Sequence, residues 1–449
     1  MSMKNYPCIR TKLPGPHATR YLEKENKFVS PSSTKGYPLV IKSAKGMVVT
    51  DVDNNTFLDF TAGIAVCNTG HNHDQIVSAI NSQAETLVHM SGADFYNPLH
   101  IELAEKLSAI CPGTHTKKAF FGNSGAESVE AAFKLARYHT RRPIAIAFYN
   151  AFHGRTMGAL SLTASKLNQR KHFLPLIPEV VHIPYAYCYR CHYGLAPDTC
   201  HMACVTWIRE ELFKTKVSPD DVAAIFVEII QGEGGYIVPP KEFHKALYQL
   251  TRDYNILYVA DEVQSGMGRT GKMFASEHFD IIPDIITLAK GIASGLPLSA
   301  TVAREEIMNW APGSHASTFG GNPVSCQAAL TTIKLLENGL IENAAKQGAY
   351  LIQELKKLER TYPIIGDVRG LGLMLAVELI KDRETKAYAP EERDTIVQKA
   401  FSKGLLLLGC GRSAIRFCPP LILSKDDADV ALSILEECIK ETLNYRQVK

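Results

Sequence analysis

Short runs of apolar residues alternate with helical patterns between about residues 75 and 300. The apolar runs predict buried strands over residues 143–149, 222–230, 256–260 and 285–289. Between these runs, apolar residues at helical spacing predict helices over residues 124–139 and 243–254. Because strands that alternate with helices form parallel sheets covered on both faces, we expect an α/β fold. Ligands of such sheets bind beyond the carboxyl ends of the strands, so the polar residues after each strand are the candidates for chemistry.

The two ends of the chain have other patterns. The first thirty-five residues are rich in Pro, Lys and Ser and carry no sustained period, which indicates an arm. Residues 47–59 predict a β-hairpin. Beyond about residue 325, long helices, an alternating segment at 368–379 and a closing helix from Asp426 predict a smaller α+β lobe. The expected parts are an arm with part of a small domain (1–68), a large domain with a mainly parallel sheet (69–325) and a C-terminal small domain (326–449).

The composition is that of an ordinary globular chain. Hydrophobic residues occupy 46% of the 449 positions, which excludes a disordered scaffold. The net charge of +3 is too small and too dispersed to indicate binding to nucleic acid or to an anionic membrane. No window holds the roughly 18 uninterrupted apolar residues of a membrane helix, and the N-terminus lacks an apolar segment followed by a small-residue cleavage site. We therefore expect a protein that is neither secreted nor embedded in a membrane.

The cysteines divide into scattered residues and one cluster. Eleven cysteines, mostly single, indicate reduced thiols and a cytoplasmic location. In an apparent insertion before the strand at 222–230, four of them have zinc-like spacing: Cys188, Cys191, Cys200 and Cys204. Because this pattern is ambiguous, bound metal, disulfides and free thiols all stay open, and we assign no metal ligand.

A glycine pattern over residues 266–271 suggests nucleotide binding at first sight, since it matches G-x-G-x-x-G and almost completes a P-loop. The P-loop pattern fails at Met273, where a hydroxyl residue is required. The dinucleotide pattern fails because the preceding strand ends in Asp261 and Glu262, whose charges would repel a pyrophosphate. We therefore interpret the segment as a tight loop.

Three other features together carry a stronger signal. Asp261 ends one hydrophobic strand and Lys290 ends another, where a buried lysine is costly unless it is paired or used covalently. Ser124 precedes Gly125 and Ala126 at the start of a helix, whose free N–H groups form an anion site. A lysine for the aldehyde, an acid for the ring nitrogen and a cradle for the phosphate are what pyridoxal phosphate (PLP) requires. Taken singly, each residue has an ordinary structural explanation, such as helix capping by Ser124.

An ordered series of motifs extends this set. The motifs are AGIAVCNTGH (62–71), NSGAE (123–127), FHGRT (152–156), QGEGG (231–235), DEVQSGMGRTG (261–271), KG (290–291) and STFGGNP (317–323). The series resembles the class III (omega-amino-acid) aminotransferases, most closely their 4-aminobutyrate members, over about residues 35–440. The resemblance implies a PLP-dependent fold type I enzyme, assembled as a homodimer or a dimer of dimers with shared active sites.

The resemblance also implies contacts to the cofactor. Lys290 would form the Schiff base and then move the substrate proton, and Asp261 would keep the ring nitrogen protonated. The remaining contacts would be Gln264 at the ring hydroxyl, Phe152 and Val263 at the two ring faces, Ser124, Gly125 and Ala126 at the phosphate, and Thr318 at the phosphate of the neighbouring subunit. His71 and His153 are interpreted as histidines that pack in loops.

For the substrates, the resemblance places an arginine at each carboxylate. Arg155 would bind the distal carboxylate and Arg416 the α-carboxylate, tasks that suit the planar guanidinium group. Glu233 would neutralise Arg416 when the bound amine has no α-carboxylate. Glu228 would lie near it as a second acid and would belong to the residues that bind the cofactor. Ile64 would line the substrate pocket.

The expected reaction is transamination of 4-aminobutyrate, or a similar omega-amino acid, with 2-oxoglutarate to give succinate semialdehyde and glutamate. An aminotransferase for ornithine or acetylornithine is one alternative. A second alternative is an amino-acid racemase or 2-epimerase of the same family, which the ending Arg416-Phe-Cys-Pro-Pro-Leu also resembles. These enzymes share the cofactor lysine but return the proton to the same carbon.

Overall fold

The computed structural model describes residues 6–447, with side chains over residues 6–444. The strands are β1 (Ile41–Lys45), β2 (Val48–Asp51), β3 (Thr56–Asp59), β4 (Lys117–Gly122), β5 (Ile144–Phe148), β6 (Val180–Ile183), β7 (Val222–Glu228), β8 (Leu257–Asp261), β9 (Ile285–Leu288), β10 (Ser299–Arg304), β11 (Ile365–Leu371), β12 (Met374–Leu379), β13 (Leu405–Leu406), β14 (Leu408–Cys410) and β15 (Ala414–Phe417). The helices are α1 (Pro16–Phe28), α2 (Ala62–Ala65), α3 (Asp74–Thr86), α4 (Pro98–Ile110), α5 (Gly125–Thr140), α6 (Met157–Leu162), α7 (Ala203–Trp207), α8 (Phe213–Thr215), α9 (Lys241–Asp253), α10 (Pro323–Leu335), α11 (Ile341–Thr361), α12 (Pro390–Ser402) and α13 (Lys425–Gln447). The strands and helices predicted above all have counterparts, with ends that differ by a few residues.

A seven-stranded sheet has the order β4-β10-β9-β8-β7-β5-β6. From β9 to β6 neighbouring strands are parallel, while β10 is antiparallel to both of its neighbours. Alternate residues of β7 pack on opposite faces, Ala224 and Phe226 with α5, and Ile225 and Val227 with α9. Because both faces are covered, every residue of β7 is buried, which explains its unbroken apolar sequence. The prediction of an α/β fold with a mainly parallel sheet is confirmed.

The register of this sheet places polar strand ends side by side. Glu228, the last residue of β7, is paired with Asp261, the last residue of β8. Asp261 is in turn paired with Thr287 of β9, and the chain reaches Lys290 two residues after β9 ends. The carboxyl edge of the sheet therefore brings two acids and a lysine together, as the parallel arrangement predicts.

Two four-stranded sheets lie outside the large one. The hairpin β2–β3 is antiparallel as predicted, and β13 adds to it in parallel from the C-terminal part of the chain. The second sheet has the order β11-β12-β15-β14 and is antiparallel throughout. In this sheet Ala376 is paired with Arg369 on one side and with Arg416 on the other. Paired residues of adjacent strands share a face, so the two arginines lie in one row.

The first thirty-five residues, interpreted from the sequence as an arm, contain one helix that the sequence pattern did not predict, α1. Pro16 begins this helix, and the carboxylate of Asp53 caps it by accepting hydrogen bonds from the amides of His17 (2.9 Å) and Ala18 (2.8 Å). Ala18 is the one residue of α1 that is buried, so the helix has no apolar stripe that a periodicity could reveal.

The helices also bear on membrane association. Among residues 6–447, no helix has both the length and the apolar content needed to cross a bilayer.

Candidate active site

A cavity of about 620 Å³ opens at the carboxyl edge of the seven-stranded sheet. Asp261, Glu228 and Lys290 line it from the strand ends, and the first residues of α5 line it from the other side. The structure thus brings together the lysine, the acid and the helix N-terminus that the sequence singled out. Seven other predicted site residues also line the cavity: Ser124, Gly125, Ala126, Phe152, Arg155, Val263 and Gln264. His153, which was interpreted from the sequence as a loop-packing histidine, lines it too.

Asp261 is held by two donors. Its Oδ2 atom lies 2.7 Å from Nδ1 of His153, and its Oδ1 atom accepts a hydrogen bond from the amide of Val263 at 3.0 Å. Asp261 and His153 are both buried. Burial alone would lower the pKa of His153, but the hydrogen bond and charge of Asp261 outweigh burial and raise this pKa. The carboxylate of Asp261 is therefore fixed in orientation.

His153 is more than a loop-packing histidine, so the sequence interpretation of this residue was wrong. Its backbone amide donates to Oγ1 of Thr163 at 2.9 Å, which anchors the loop, while its ring reaches Asp261 across 108 positions of sequence. His71 keeps a structural role, because its Nε2 atom lies 2.8 Å from Oδ2 of Asp59 at the end of the N-terminal hairpin. The FHGRT motif pointed to the neighbourhood of His153, but no local pattern identified its partner.

Lys290 follows β9 in a left-handed backbone conformation with φ of 46°. This conformation is uncommon for a residue with a side chain. Burial lowers the pKa of the Lys290 amine, against the opposing charges of Asp261 and Glu233. A lowered pKa increases the neutral fraction of the amine, which is the nucleophilic form.

Glu228 lies beside Asp261 and lines the cavity. Its Oε2 atom accepts a hydrogen bond from the amide of Phe152, and its Oε1 atom accepts one from the amide of Gly232, both at 3.0 Å. Burial raises the pKa of Glu228 to about 7. Since Gly232 belongs to the loop that carries Glu233, Glu228 ties the cofactor cavity to that loop through the backbone.

The N-terminus of α5 forms a cradle with the geometry that an anion requires. Ser124 caps the helix, because its hydroxyl accepts from the amide of Glu127 at 3.3 Å while Glu127 accepts from the amide of Ser124 at 3.0 Å. This arrangement leaves the amides of Gly125 and Ala126 in the first turn, where a helix has no internal acceptors. A side chain at Gly125 would place its Cβ 2.8 Å from Val263, so glycine permits the close approach.

Gln264 is oriented by a neighbour. The hydroxyl of Tyr236 donates to its Oε1 atom at 2.7 Å. This hydrogen bond engages the oxygen of the Gln264 amide and leaves its Nε2 donor facing away from Tyr236. Gln264 also lines the cavity. An amide with its oxygen engaged in this way suits a contact in which it donates to an oxygen of a bound ring.

Glu233 lies between two cations. Its Oε1 atom accepts a hydrogen bond from Nη1 of Arg416 at 2.7 Å, and its Oε2 atom accepts one from Nζ of Lys166 at 3.2 Å. Although burial alone would raise it, the two cations lower the pKa of Glu233 to about 2. The Glu233 side chain is 15% exposed and that of Arg416 is 6% exposed, whereas Lys166 is 47% exposed. The sequence predicted the pair with Arg416 but missed Lys166, which is 67 positions away from Glu233.

Four predicted residues lie outside the lining of this cavity: the Glu233–Arg416 pair described above, and Ile64 and Thr318. Ile64 is 37% exposed on the distorted turn α2, and Val66, two positions further on, lines the cavity instead. Thr318 is exposed in the loop before α10. Within one chain neither Ile64 nor Thr318 reaches the cavity wall, and their predicted contacts stay predictions.

The cysteine cluster does not contribute to the lining of this cavity. Its members line a separate small cavity together: Cys188, Cys191, Cys200 and Cys204. All four are free thiols, and burial raises the pKa of Cys204 to about 12. Within residues 6–444, no three His, Cys, Asp or Glu side chains are grouped so that they could hold a metal ion.

The glycine pattern forms a tight loop after β8, as interpreted above. Gly268 and Gly271 have φ of 83° and 81°, in the left-handed region that glycine tolerates. A short 3₁₀ turn over Ala275–Phe279 follows, instead of the helix that a dinucleotide site would need.

Comparisons with known proteins place this geometry in a family. A model of the family "Aminotransferase class-III" matches residues 29–439. An alanine/serine racemase of Pyrococcus horikoshii is 41% identical over 98% of this chain and 94% of its own length. A 4-aminobutyrate aminotransferase of Mycobacterium leprae is 39% identical over 96% of this chain and 97% of its own. A PLP-bound amine transaminase from an uncultivated Pseudomonas species has a TM-score of 0.86 at 30% identity, with 93% of this chain and 99% of that chain covered.

The chain therefore belongs to the class III aminotransferases, which depend on PLP. The cavity fits this cofactor, because the α5 cradle, the Asp261–His153 pair and Lys290 face one space of suitable size. When bound, PLP supplies an aldehyde that takes up the amine and a ring that withdraws electrons from the substrate carbon. Residues in the cradle would hold the phosphate, Asp261 the ring nitrogen and Lys290 the aldehyde carbon.

Proposed function

We propose that this protein transaminates 4-aminobutyrate, or a similar omega-amino acid, with 2-oxoglutarate, giving succinate semialdehyde and glutamate. The observation that carries the proposal is the contact of Glu233 with Arg416 at 2.7 Å. A transaminase of this kind binds two unlike partners in one pocket, since glutamate has an α-carboxylate and 4-aminobutyrate has none. With Glu233 in place, Arg416 is neutralised for 4-aminobutyrate, and when Glu233 moves away Arg416 is available for glutamate.

Lys166 makes this exchange less costly. It lies 3.2 Å from the second carboxylate oxygen of Glu233 and is partly exposed, so it stays with the carboxylate when Arg416 is released. A carboxylate without any partner would be expensive to keep in this largely buried position. Arg155, exposed at the mouth of the cavity, is placed to bind the distal carboxylate that 4-aminobutyrate and glutamate share.

The proton transfers are assigned to Lys290. Its amine lines the cavity and has a lowered pKa, so it can take a proton from the substrate carbon that bears nitrogen. Asp261, oriented by His153, would keep the ring nitrogen of the cofactor protonated. The positive charge on that nitrogen makes the substrate carbon acidic.

The active assembly is proposed to be a homodimer. Thr318 is exposed in one chain, and its neighbour Phe319 is 63% exposed. The ring of Phe319 contacts that of His89 with centroids 5.0 Å apart and planes tilted by 35°. Tyr96 and Val88 are exposed at 98% and 61%. Apolar side chains exposed in this number are typical of a surface that a second subunit covers, which would carry Thr318 to the partner's phosphate cradle. Sedimentation velocity of the holoenzyme tests this assembly, and a monomer at micromolar concentration would contradict it.

The reaction is tested by incubating purified holoenzyme with 4-aminobutyrate and 2-oxoglutarate and measuring glutamate and succinate semialdehyde by mass spectrometry. We expect both products in equal amounts. A panel of donors, including 5-aminovalerate, ornithine and acetylornithine, ranks the omega-amine specificity. Absence of glutamate with every donor would refute the proposal.

An amino-acid racemase is the second candidate, favoured by the 41% identity with the alanine/serine racemase. Such an enzyme handles substrates that always carry an α-carboxylate, so it has no need to neutralise Arg416. For this reason the Glu233 contact favours transamination. Incubation of L-alanine or L-serine alone, without any keto acid, decides between the two, because only a racemase would produce the D enantiomer at a rate comparable to turnover.

A further inference from the structure

The loop of residues 231–235, which carries Glu233, is held by the small antiparallel sheet through a second arginine. Arg369 donates from Nε and Nη2 to the carbonyl oxygen of Gly235, at 3.0 and 2.6 Å. On the other side, the amide of Gly411 donates to the carbonyl oxygen of Glu233 at 2.8 Å. The backbone of the loop is therefore fixed on both sides of the Glu233 side chain.

The sheet register relates this arginine to the substrate arginine. Arg369 on β11 and Arg416 on β15 are both paired with Ala376 on β12, so they lie in one row on one face. Neighbouring strands are about 4.8 Å apart, which places the two arginine backbones about 10 Å apart. Two arginines in one row of the sheet therefore hold the loop. Arg369 binds its backbone at Gly235, and Arg416 binds the carboxylate of Glu233.

Arg369 is itself held in a buried ionic network. Its Nη1 atom donates to Asp367 at 2.6 Å and its Nη2 atom to Glu378 at 2.7 Å, and its side chain is 10% exposed. Arg190 donates to the other oxygen of Glu378 at 2.6 Å, and the hydroxyl of Tyr187 also donates to Glu378. Since a guanidinium group with all these partners cannot rotate without breaking several of them, its position is fixed.

We propose that Arg369 is a positioning residue for substrate exchange: it sets the 231–235 loop so that Glu233 meets Arg416 whenever the bound amine lacks an α-carboxylate. This inference rests on the proposed function and adds a residue that touches neither substrate nor cofactor. If the loop is loosened, the Glu233–Arg416 contact weakens, and Arg416 becomes easier for an α-carboxylate to occupy. Arg369 therefore controls the relative preference for glutamate and 4-aminobutyrate.

The test is the Arg369→Lys substitution, which keeps the positive charge but cannot bridge Gly235, Asp367 and Glu378 at once. Two properties of the holoenzyme are measured. The first is hydrogen–deuterium exchange of the peptide that covers residues 231–235, which we expect to become about tenfold faster. The second is kcat/KM of each half-reaction, for which we expect the ratio of glutamate to 4-aminobutyrate to rise about tenfold.

A matched control is Arg252→Lys, at an arginine that also binds a carboxylate (Asp284, 3.0 Å) and a carbonyl oxygen (Ile256, 3.1 Å) but has no hydrogen bond to the loop. It should leave the loop exchange and the ratio unchanged. If Arg369→Lys does not fold, Glu378→Gln removes one partner of Arg369 and is measured in its place.

The two readouts separate the possible failures. Unchanged loop exchange would overturn the positioning role, whatever the enzyme catalyses. Faster exchange with an equal fall in both half-reactions would show that the loop is held without affecting selection, which overturns the inference. If the wild-type holoenzyme does not react with 4-aminobutyrate, the proposed function fails and the selection role fails with it, while faster exchange would still identify Arg369 as the residue that holds the loop.

Discussion

Replacement of Glu233 by Gln should change the choice between substrates more than the overall rate. The carboxylate must leave Arg416 before the α-carboxylate of glutamate can bind there, but it stays in place for 4-aminobutyrate. The neutral amide of Gln removes most of the competition for Arg416. We therefore expect the ratio of kcat/KM for glutamate to that for 4-aminobutyrate to increase.

The size of the increase follows from the geometry of the site. Glu233 and Arg416 are 2.7 Å apart and 15% and 6% exposed. Opposite charges with centres about 4 Å apart interact by about 4 kcal/mol at an effective dielectric constant near 20. The contact with half-exposed Lys166 that Glu233 keeps is worth about 0–1 kcal/mol. After allowance for the hydrogen bond that Gln retains, the substitution favours the binding of glutamate over that of 4-aminobutyrate by about 1.4–2.7 kcal/mol, which corresponds to about 10- to 100-fold in the ratio.

The assay is rapid mixing of holoenzyme with each amino donor separately, in which the change of cofactor absorbance gives kcat/KM of each half-reaction. Glu305→Gln is the control, because Glu305 pairs with Lys118 at the surface, where both side chains are 53% exposed. An unchanged or reduced ratio in Glu233→Gln, with the control behaving as wild type, would refute the reasoning.

Three other substitutions test the cofactor side. Lys290→Ala should abolish transamination while circular dichroism shows a retained fold, and full activity would overturn its assignment. His153→Leu leaves a buried carboxylate oxygen of Asp261 without its donor, so PLP affinity measured by equilibrium dialysis should fall about 10- to 100-fold. Glu228 has a pKa raised from 4.5 to about 7, so its contribution to stability is complete below about pH 4.5 and is lost as the pH rises through 7. In urea titrations of the cofactor-free protein, Glu228→Gln should flatten the dependence of unfolding free energy on pH in that interval.

The positions of Asp261 and Lys290 were predictable because a parallel sheet gathers its carboxyl ends at one edge. The roles of His153 and Lys166 were not, since each depends on a partner 108 or 67 positions away. Helix α1 was missed for a related reason: Asp53 caps it from a distant turn, and its own sequence has no apolar stripe. Apolar residues repeat at helical spacing when one face of a helix is buried. A helix that buries almost no side chain therefore has no such repeat in its sequence.

By itself, the amino-acid sequence determined the alternation of buried strands and helices, and with it the α/β fold and the edge where the cofactor residues collect. Those features depend on local periodicity and on the fixed geometry of parallel strands. Only the tertiary structure decided which further polar groups meet: Asp261 with His153, Glu233 with Lys166, and Arg369 with the loop of residues 231–235. The physical reason is that an ion pair depends on a few ångströms of separation between side chains from different elements, and no spacing along the chain encodes that distance.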